Sequence, residues 1–261
     1  QLAEWMVDGE PTVDMMGVDP RRFGPYATRG YLKEKNEEAY ANVFTTHYPD
    51  EERSAARPLK TAPCHDRMKD LGAVFGSVYG WERPNWFMPS LDYSLTAEDL
   101  NQADPSKVIL NKNHSKALDD GRIVEKNSFR RSNYFEHVGN ECKHVNENVG
   151  LLDMSAFAKC IVKGPGAEEW LEYIFANKMP QTIGRISLVH MLSLNGGVRS
   201  EFTVYKTGPQ SYYLVSAGAF ETHDHDYLFK LAPKDGTVSI QRVTTQTGVP
   251  VSYTHLRAHE T

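Results

Sequence analysis

At 261 residues the chain has a length suited to about two domains. Its 40% hydrophobic and 24% charged content is that of an ordinary globular protein with enough apolar mass for a core. The formal charge of −5 is spread along the chain without a basic stripe, which argues against nucleic acid as a partner. No apolar run approaches the roughly 20 residues that span a bilayer, so no membrane partner is expected.

In chain order, residues 1–8 read as the end of a helix stopped at Gly9 and followed by Pro11. Residues 11–28 form a Pro-, Gly- and Asp-rich connection, and a charged amphipathic helix is expected from Tyr31 to Phe44. Pro49 and Pro58 break the segment 47–58 into an irregular strap. A new unit begins near Cys64, with a short helix from His65 to Leu71 and a strand from Ala73 to Tyr79. Trp81 and Trp86 read as core anchors of a turn and Arg83 as an internal ion-pair partner. Residues 88–128 are polar, without periodicity, and read as an insertion or long surface loop.

Phe135, Val138, Cys142, Val145 and Val149 recur at helical spacing and predict a helix over 134–148. A strand follows at 159–164. Pro165 and early glutamates then open a helix whose buried stripe is Trp170, Leu171, Ile174 and Phe175. Residues 186–206 read as a hairpin turning at Asn195-Gly196-Gly197, where both glycines tolerate positive φ. A strand at 211–217, a helix at 220–231 and a strand at 237–243 complete the pattern, which lacks βαβ regularity and predicts an α+β fold.

Cys64, Cys142 and Cys160 form an odd set with no CxxC spacing, so neither structural zinc nor a disulfide framework is expected. Reduced thiols suit the cytoplasm, or the mitochondrial matrix of a eukaryote. Adjacent Cys64 and His65 lack an orienting third group, and no nucleophile is assigned to them. His223, Asp224, His225 and Asp226 alternate on a helix, where residues one or two apart do not share a face; a solvated helix face is expected and no metal. The last eleven residues, 251–261, read as the translation of a transposase-type sequencing adapter. The pairing of His255 with His259 is therefore set aside, and the natural protein is expected to continue past about residue 250.

The strand Val198–Lys206 carries the most informative local pattern. Alternation places Val198, Ser200, Phe202 and Val204 on one face and Arg199, Glu201, Thr203 and Tyr205 on the other. Such a polar face either lines a ligand cavity or is the wet side of an antiparallel sheet.

The segments GEPTVDMMGVDPRRF (9–23), HYPDEERSAARP (47–58), CHDRMKDLGAVFGSVYGWERPNWF (64–87) and FRRSNYFEHVGNECKHVNENVGLLDMSAFAKCIVKGPGA (129–167) occur in one order. In that order the chain resembles the dimethylglycine dehydrogenase and sarcosine dehydrogenase family, in which a flavin domain is fused to an aminomethyltransferase-like folate-binding domain. The resemblance implies four regions. Residues 1–20 would be the C-terminal tail of an FAD-dependent oxidoreductase domain, and 21–62 a small connecting domain. Residues 63–250 would be the N-terminal part of a glycine-cleavage T-protein-like folate-binding domain carrying the insertion 88–128, and 251–261 the adapter segment.

By the same resemblance Glu201 stands where the family carries an acidic residue at the reacting nitrogens of folate. Tyr205 matches a tyrosine on the folate wall, and Val215 a position of backbone contact to the pterin. Leu188 departs from the aromatic often found before the turn. The implied activity is oxidative demethylation of an N-methyl amine such as dimethylglycine or sarcosine. FAD accepts hydride, and tetrahydrofolate receives the one-carbon unit in an enclosed site. Glu201 would act as base or electrostatic anchor. No Gly-x-Gly-x-x-Gly occurs in the chain, which assigns FAD binding to a region upstream of Gln1. The electron acceptor stays open between an electron-transfer flavoprotein and oxygen. Two rivals are a free-standing aminomethyltransferase of glycine cleavage and a non-catalytic folate-binding module.

Overall fold

A computed structural model describes residues 1–9, 11–13, 15–101, 115–193 and 195–253. In chain order its helices are α1 (Leu2–Asp8), α2 (Arg29–Ala41), α3 (His65–Asp70), α4 (Ala97–Asn101), α5 (Phe135–Glu147), α6 (Ala167–Ile174) and α7 (Glu221–Leu231). Its strands are β1 (Ala73–Val78), β2 (Trp81–Phe87), β3 (Ser115–Ala117), β4 (Ile123–Lys126), β5 (Gly150–Asp153), β6 (Ala158–Lys163), β7 (Ile186–Leu192), β8 (Val198–Gly208), β9 (Ser211–Ser216), β10 (Ser239–Arg242) and β11 (Pro250–Tyr253). The class is α+β, as expected from the pattern of elements. The chain divides into two compact units, one of Gln1–Thr28 with Phe157–Thr247 and the other of Arg29–Ala156 with Gly248–Thr261.

The first unit is built on a five-stranded antiparallel sheet in the order β10-β6-β9-β8-β7. One face of it is closed by helices. Trp170 and Leu171 of α6 and Leu228 of α7 pack with Val162, Val189, Met191, Phe202, Val204, Tyr212 and Leu214 into one apolar cluster. The stripe expected on α6 is the one buried, because Trp170, Leu171 and Ile174 recur at helical spacing and Phe175 continues it into the next strand contact. Lys206 is buried on this face as well. Its Nζ donates to Glu168 Oε2 at 2.7 Å, and the Tyr212 hydroxyl donates to the same oxygen at 2.6 Å. These bonds to the Lys206 ammonium and the Tyr212 hydroxyl hold the Glu168 carboxyl below its usual range. α1 ends on Gly9 at φ 79°, a left-handed cap that glycine reaches without a Cβ clash.

Among its described residues the second unit carries three two-stranded ladders, β1-β2, β3-β4 and β5-β11. Its core joins Val74, Trp86, Met88 and Val124, with Tyr93, Leu118, Tyr134 and Val138 packed against them. Residues 88–128 are therefore more than a surface loop where described, since Val124 is fully buried and Glu125 accepts from Trp86 Nε1 at 3.2 Å. Polar composition hid a strand that sends Val124 into the core.

Trp81 and Trp86 are buried, as expected, although within a strand rather than a turn. The ion-pair role expected of Arg83, which is exposed, falls instead to Arg57. Its Nε and Nη2 reach the two oxygens of buried Glu82 at 2.9 and 2.5 Å, its Nη1 reaches Glu52 at 3.1 Å, and its Nη2 also donates to the Phe75 carbonyl. The helix over 134–148 is present, but Phe135, Cys142 and Val149 on its expected stripe are exposed. The backbone of β11, which includes the first three residues of the segment read as adapter, pairs antiparallel with β5.

Candidate functional site

The hairpin β7–β8 positions the residues singled out in the sequence. Its turn closes with Ser193 N–H donating to the Gly197 carbonyl at 2.8 Å, and Gly196 takes φ 80°. Beyond the turn the ladder carries a register shift: Leu192 pairs with Val198, whereas Met191 pairs with Ser200. Arg199 is the extra residue of this β-bulge. Without it, counting from the turn would set core Val189 opposite Glu201. With it, Val189 faces Phe202 and His190 faces Glu201, so like faces match.

On the face opposite the helices, Glu201 and Tyr205 stand on β8, two pleats apart. Val215 of β9 pairs with Thr203 between them. The structure thus gathers the three expected residues on one sheet face. That face is open around Glu201, whose side chain is 57% exposed, and Tyr205 is 37% exposed. Ile186 and Leu188 of β7, opposite Tyr205 and Thr203, add exposed apolar surface. Two recesses among the described residues of this unit are lined by other residues than Glu201, Tyr205 and Val215. Toward β6 the same face is covered, where the Tyr213 hydroxyl meets Thr247 Oγ1 at 2.9 Å.

Two residues absent from the sequence reading complete the group. His190 Nε2 lies 3.2 Å from Glu201 Oε2, and its Nδ1 lies 3.2 Å from Asn177 Oδ1. The same Asn177 oxygen accepts from the His190 backbone N–H at 3.0 Å, while Ala176 N–H donates to the His190 carbonyl. The loop after α6 therefore sets an acceptor against one ring nitrogen and Glu201 sets one against the other, so a neutral imidazole donates to one of them and a doubly protonated ring to both. Only the bulged register reveals this line, so the sequence offered no local signal for it. Chemically, the group is a steered carboxylate beside a phenol and aliphatic surface. It can accept a hydrogen bond from an amine and hold positive charge, with a flat apolar body lying against Tyr205 and Leu188.

The alternating run on α7 departs from the solvated face expected of it. Asp224 is buried and accepts from Ser200 Oγ at 2.9 Å, with His223 Nδ1 3.4 Å from its other oxygen. It shares its helix side with Leu228, four residues on, which is also buried. Burial and the Arg242 charge hold the His225 pKa down to about 4, and its Nε2 is buried with no hydrogen-bond partner among the described residues. The buried Cys160 thiol is pushed up to about 12, chiefly by burial. Among the described residues the three cysteines are free, and no group of His, Cys, Asp and Glu could hold a metal ion. No helix of the described residues is long and apolar enough to cross a membrane.

A sheet hairpin with an acidic residue after a Gly-Gly turn, on an α+β frame, sets the class against which known proteins can be compared. The chain belongs to the family defined by the GCVT N-terminal domain, whose model matches residues 64–250, and residues 8–62 match the FAD dependent oxidoreductase central domain. It is 32% identical over 250 residues to mitochondrial dimethylglycine dehydrogenase of Mus musculus, covering 95% of this chain and 25% of that protein. It is 28% identical over 246 residues to the mitochondrial pyruvate dehydrogenase phosphatase regulatory subunit of Mus musculus, covering 93% of this chain and 25% of that protein. To mitochondrial sarcosine dehydrogenase of Homo sapiens the identity is 27% over 243 residues, covering 87% and 26%. The chain spans about a quarter of the length of these curated relatives.

Proposed function

We propose that this chain is the folate-facing part of an FAD- and tetrahydrofolate-dependent dehydrogenase. The whole protein would oxidatively demethylate dimethylglycine, sarcosine or a similar N-methyl amine and pass the one-carbon unit to tetrahydrofolate. The observation that carries this reading is the grouping of Glu201 with Tyr205 on one face, backed by His190 and Asn177, in a chain of this family.

The residues fit a reduced pterin. Glu201 offers acceptor oxygens to ring or bridging N–H groups, Thr203 a hydroxyl, and Tyr205, Leu188 and Val215 the surface for a flat ring system. Tetrahydrofolate, when bound, supplies the nitrogens that accept the one-carbon unit. In this reading Glu201 would hydrogen-bond the attacking amine, either as the base that takes its proton or, left ionised, as the charge that offsets a developing cation. His190 keeps the carboxylate aimed, and Asn177 keeps His190 in place. The Gly-rich dinucleotide fingerprint does not occur in these 261 residues, so in this reading the flavin's pyrophosphate would be held by sequence outside them.

Titration calorimetry of the chain with tetrahydrofolate tests the site. Glu201→Gln and Tyr205→Ala should each weaken binding about tenfold, the size of one charged hydrogen bond or one aromatic contact. In a flavin-containing polypeptide that includes this chain, Glu201→Gln should lower folate-coupled product while sparing flavin reduction by dimethylglycine. Equal loss of both steps would sink the assigned role. The resemblance to a regulatory subunit over 93% of the chain favours one second reading, a folate-binding module without catalysis. Folate binding with no flavin reduction by any N-methyl amine would select it.

A further inference from the structure

The first unit contains a recess that the folate-side reading does not use. It lies between α7 and the segment of α1 with the connection after it, on the side to which the bulge turns Arg199. Its working residues are Trp5, Arg21, Arg199, Asp226, Tyr227 and Lys230, and its volume is about 60 Å³. That is room for about four waters, the scale of a phosphate or carboxylate group.

The charges in it are unequally committed. Arg21 is taken up by Asp19, with Nε and Nη2 at 2.7–3.1 Å from its oxygens, and Asp226 is 3.6 Å from Arg242 Nη2. Two cations remain. Arg199 lies with its guanidinium carbon 4.0 Å from the Tyr227 ring centre, and its Nε is buried with no hydrogen-bond partner among the described residues. Lys230, one helical turn from Tyr227 and Asp226, takes no ion pair among the described residues. A guanidinium stacked on a ring keeps its N–H edge free in a fixed plane, which is the geometry that grips an oxyanion through two bonds. Bulges recur where a side chain has to be re-aimed, and this one aims Arg199 here.

We propose that this recess is a binding site for a compact oxyanion, a phosphate or carboxylate group, held by Arg199 and Lys230 with Arg21 in support. It is independent of the folate reading, since none of these residues belongs to the Glu201 group.

The test is titration of the whole 261-residue chain with inorganic phosphate, and separately with acetate, at fixed ionic strength in chloride. Saturable binding of either anion is expected, the tighter one assigning the class. Arg199→Met should weaken it at least tenfold, Lys230→Met several-fold, and Asp226→Asn should tighten it. Because Arg199→Met also removes the stack on Tyr227, the two exposed positions 226 and 230 keep the test decisive if that variant does not fold. A response that tracks ionic strength alone, or one unchanged in Lys230→Met and Asp226→Asn, would overturn the proposal.

Discussion

The two faces of the five-stranded sheet follow opposite rules. On the helix side every position of β8 from Ser200 to Lys206 that points inward is buried, whether apolar or polar, and each polar one has its partner: Ser200 meets Asp224, Lys206 meets Glu168. On the other side Glu201 and Tyr205 stay in contact with solvent, and the Glu201 carboxylate meets its neighbour His190 sideways along the sheet. The lesson is that one strand carries stability and recognition on alternate residues. Substitutions one position apart should therefore fall into different kinds of effect.

The largest contrast is expected between Phe202 and Tyr205. Phe202→Ala empties space between α6 and the sheet and should cost about 3–5 kcal/mol in chemical denaturation. Tyr205→Ala, on the same strand, should cost under about 1 kcal/mol. Equal costs would erase the distinction between the faces. Next comes Lys206→Met, which leaves Glu168 to Tyr212 and Gln181 and should cost about 2 kcal/mol at neutral pH.

The smallest effect is a pH dependence. His225 binds its proton less readily folded than unfolded, so its contribution to stability is complete above about pH 6.5 and is lost as pH falls toward about 4. The half-buried ring keeps part of its hydration, so the loss should be about 1 kcal/mol rather than the full shift. Melting of His225→Gln across this range should show a correspondingly flatter profile. An unchanged slope would place the ring in solvent.

Much of this arrangement was legible because it is local. The Gly-Gly turn, the alternation on β8 and the 3.6-residue stripe of α6 each repeat a short period that needs no knowledge of the rest of the chain. The Glu201–His190–Asn177 line was not legible, since it depends on a one-residue register change and on a loop 13 residues before His190. Asp224 departs from a solvated face because Leu228, four residues on and on the same side of the helix, is buried with it. Val124 and Glu125 were hidden in a polar stretch where one strand contributes only one apolar residue to a core. The Glu52–Arg57–Glu82 network was equally out of reach, because its members come from a strap and a strand 25 residues apart.

Arg199 takes no place in the paired register of its own hairpin. Its identity can therefore drift during divergence without moving Glu201 from opposite His190 or unsettling the buried side. Two capacities of one hairpin, the carboxylate's alignment and the charge offered to α7, are in this way inherited separately. Descendants of a common ancestor could keep the first and rewrite the second with a single codon.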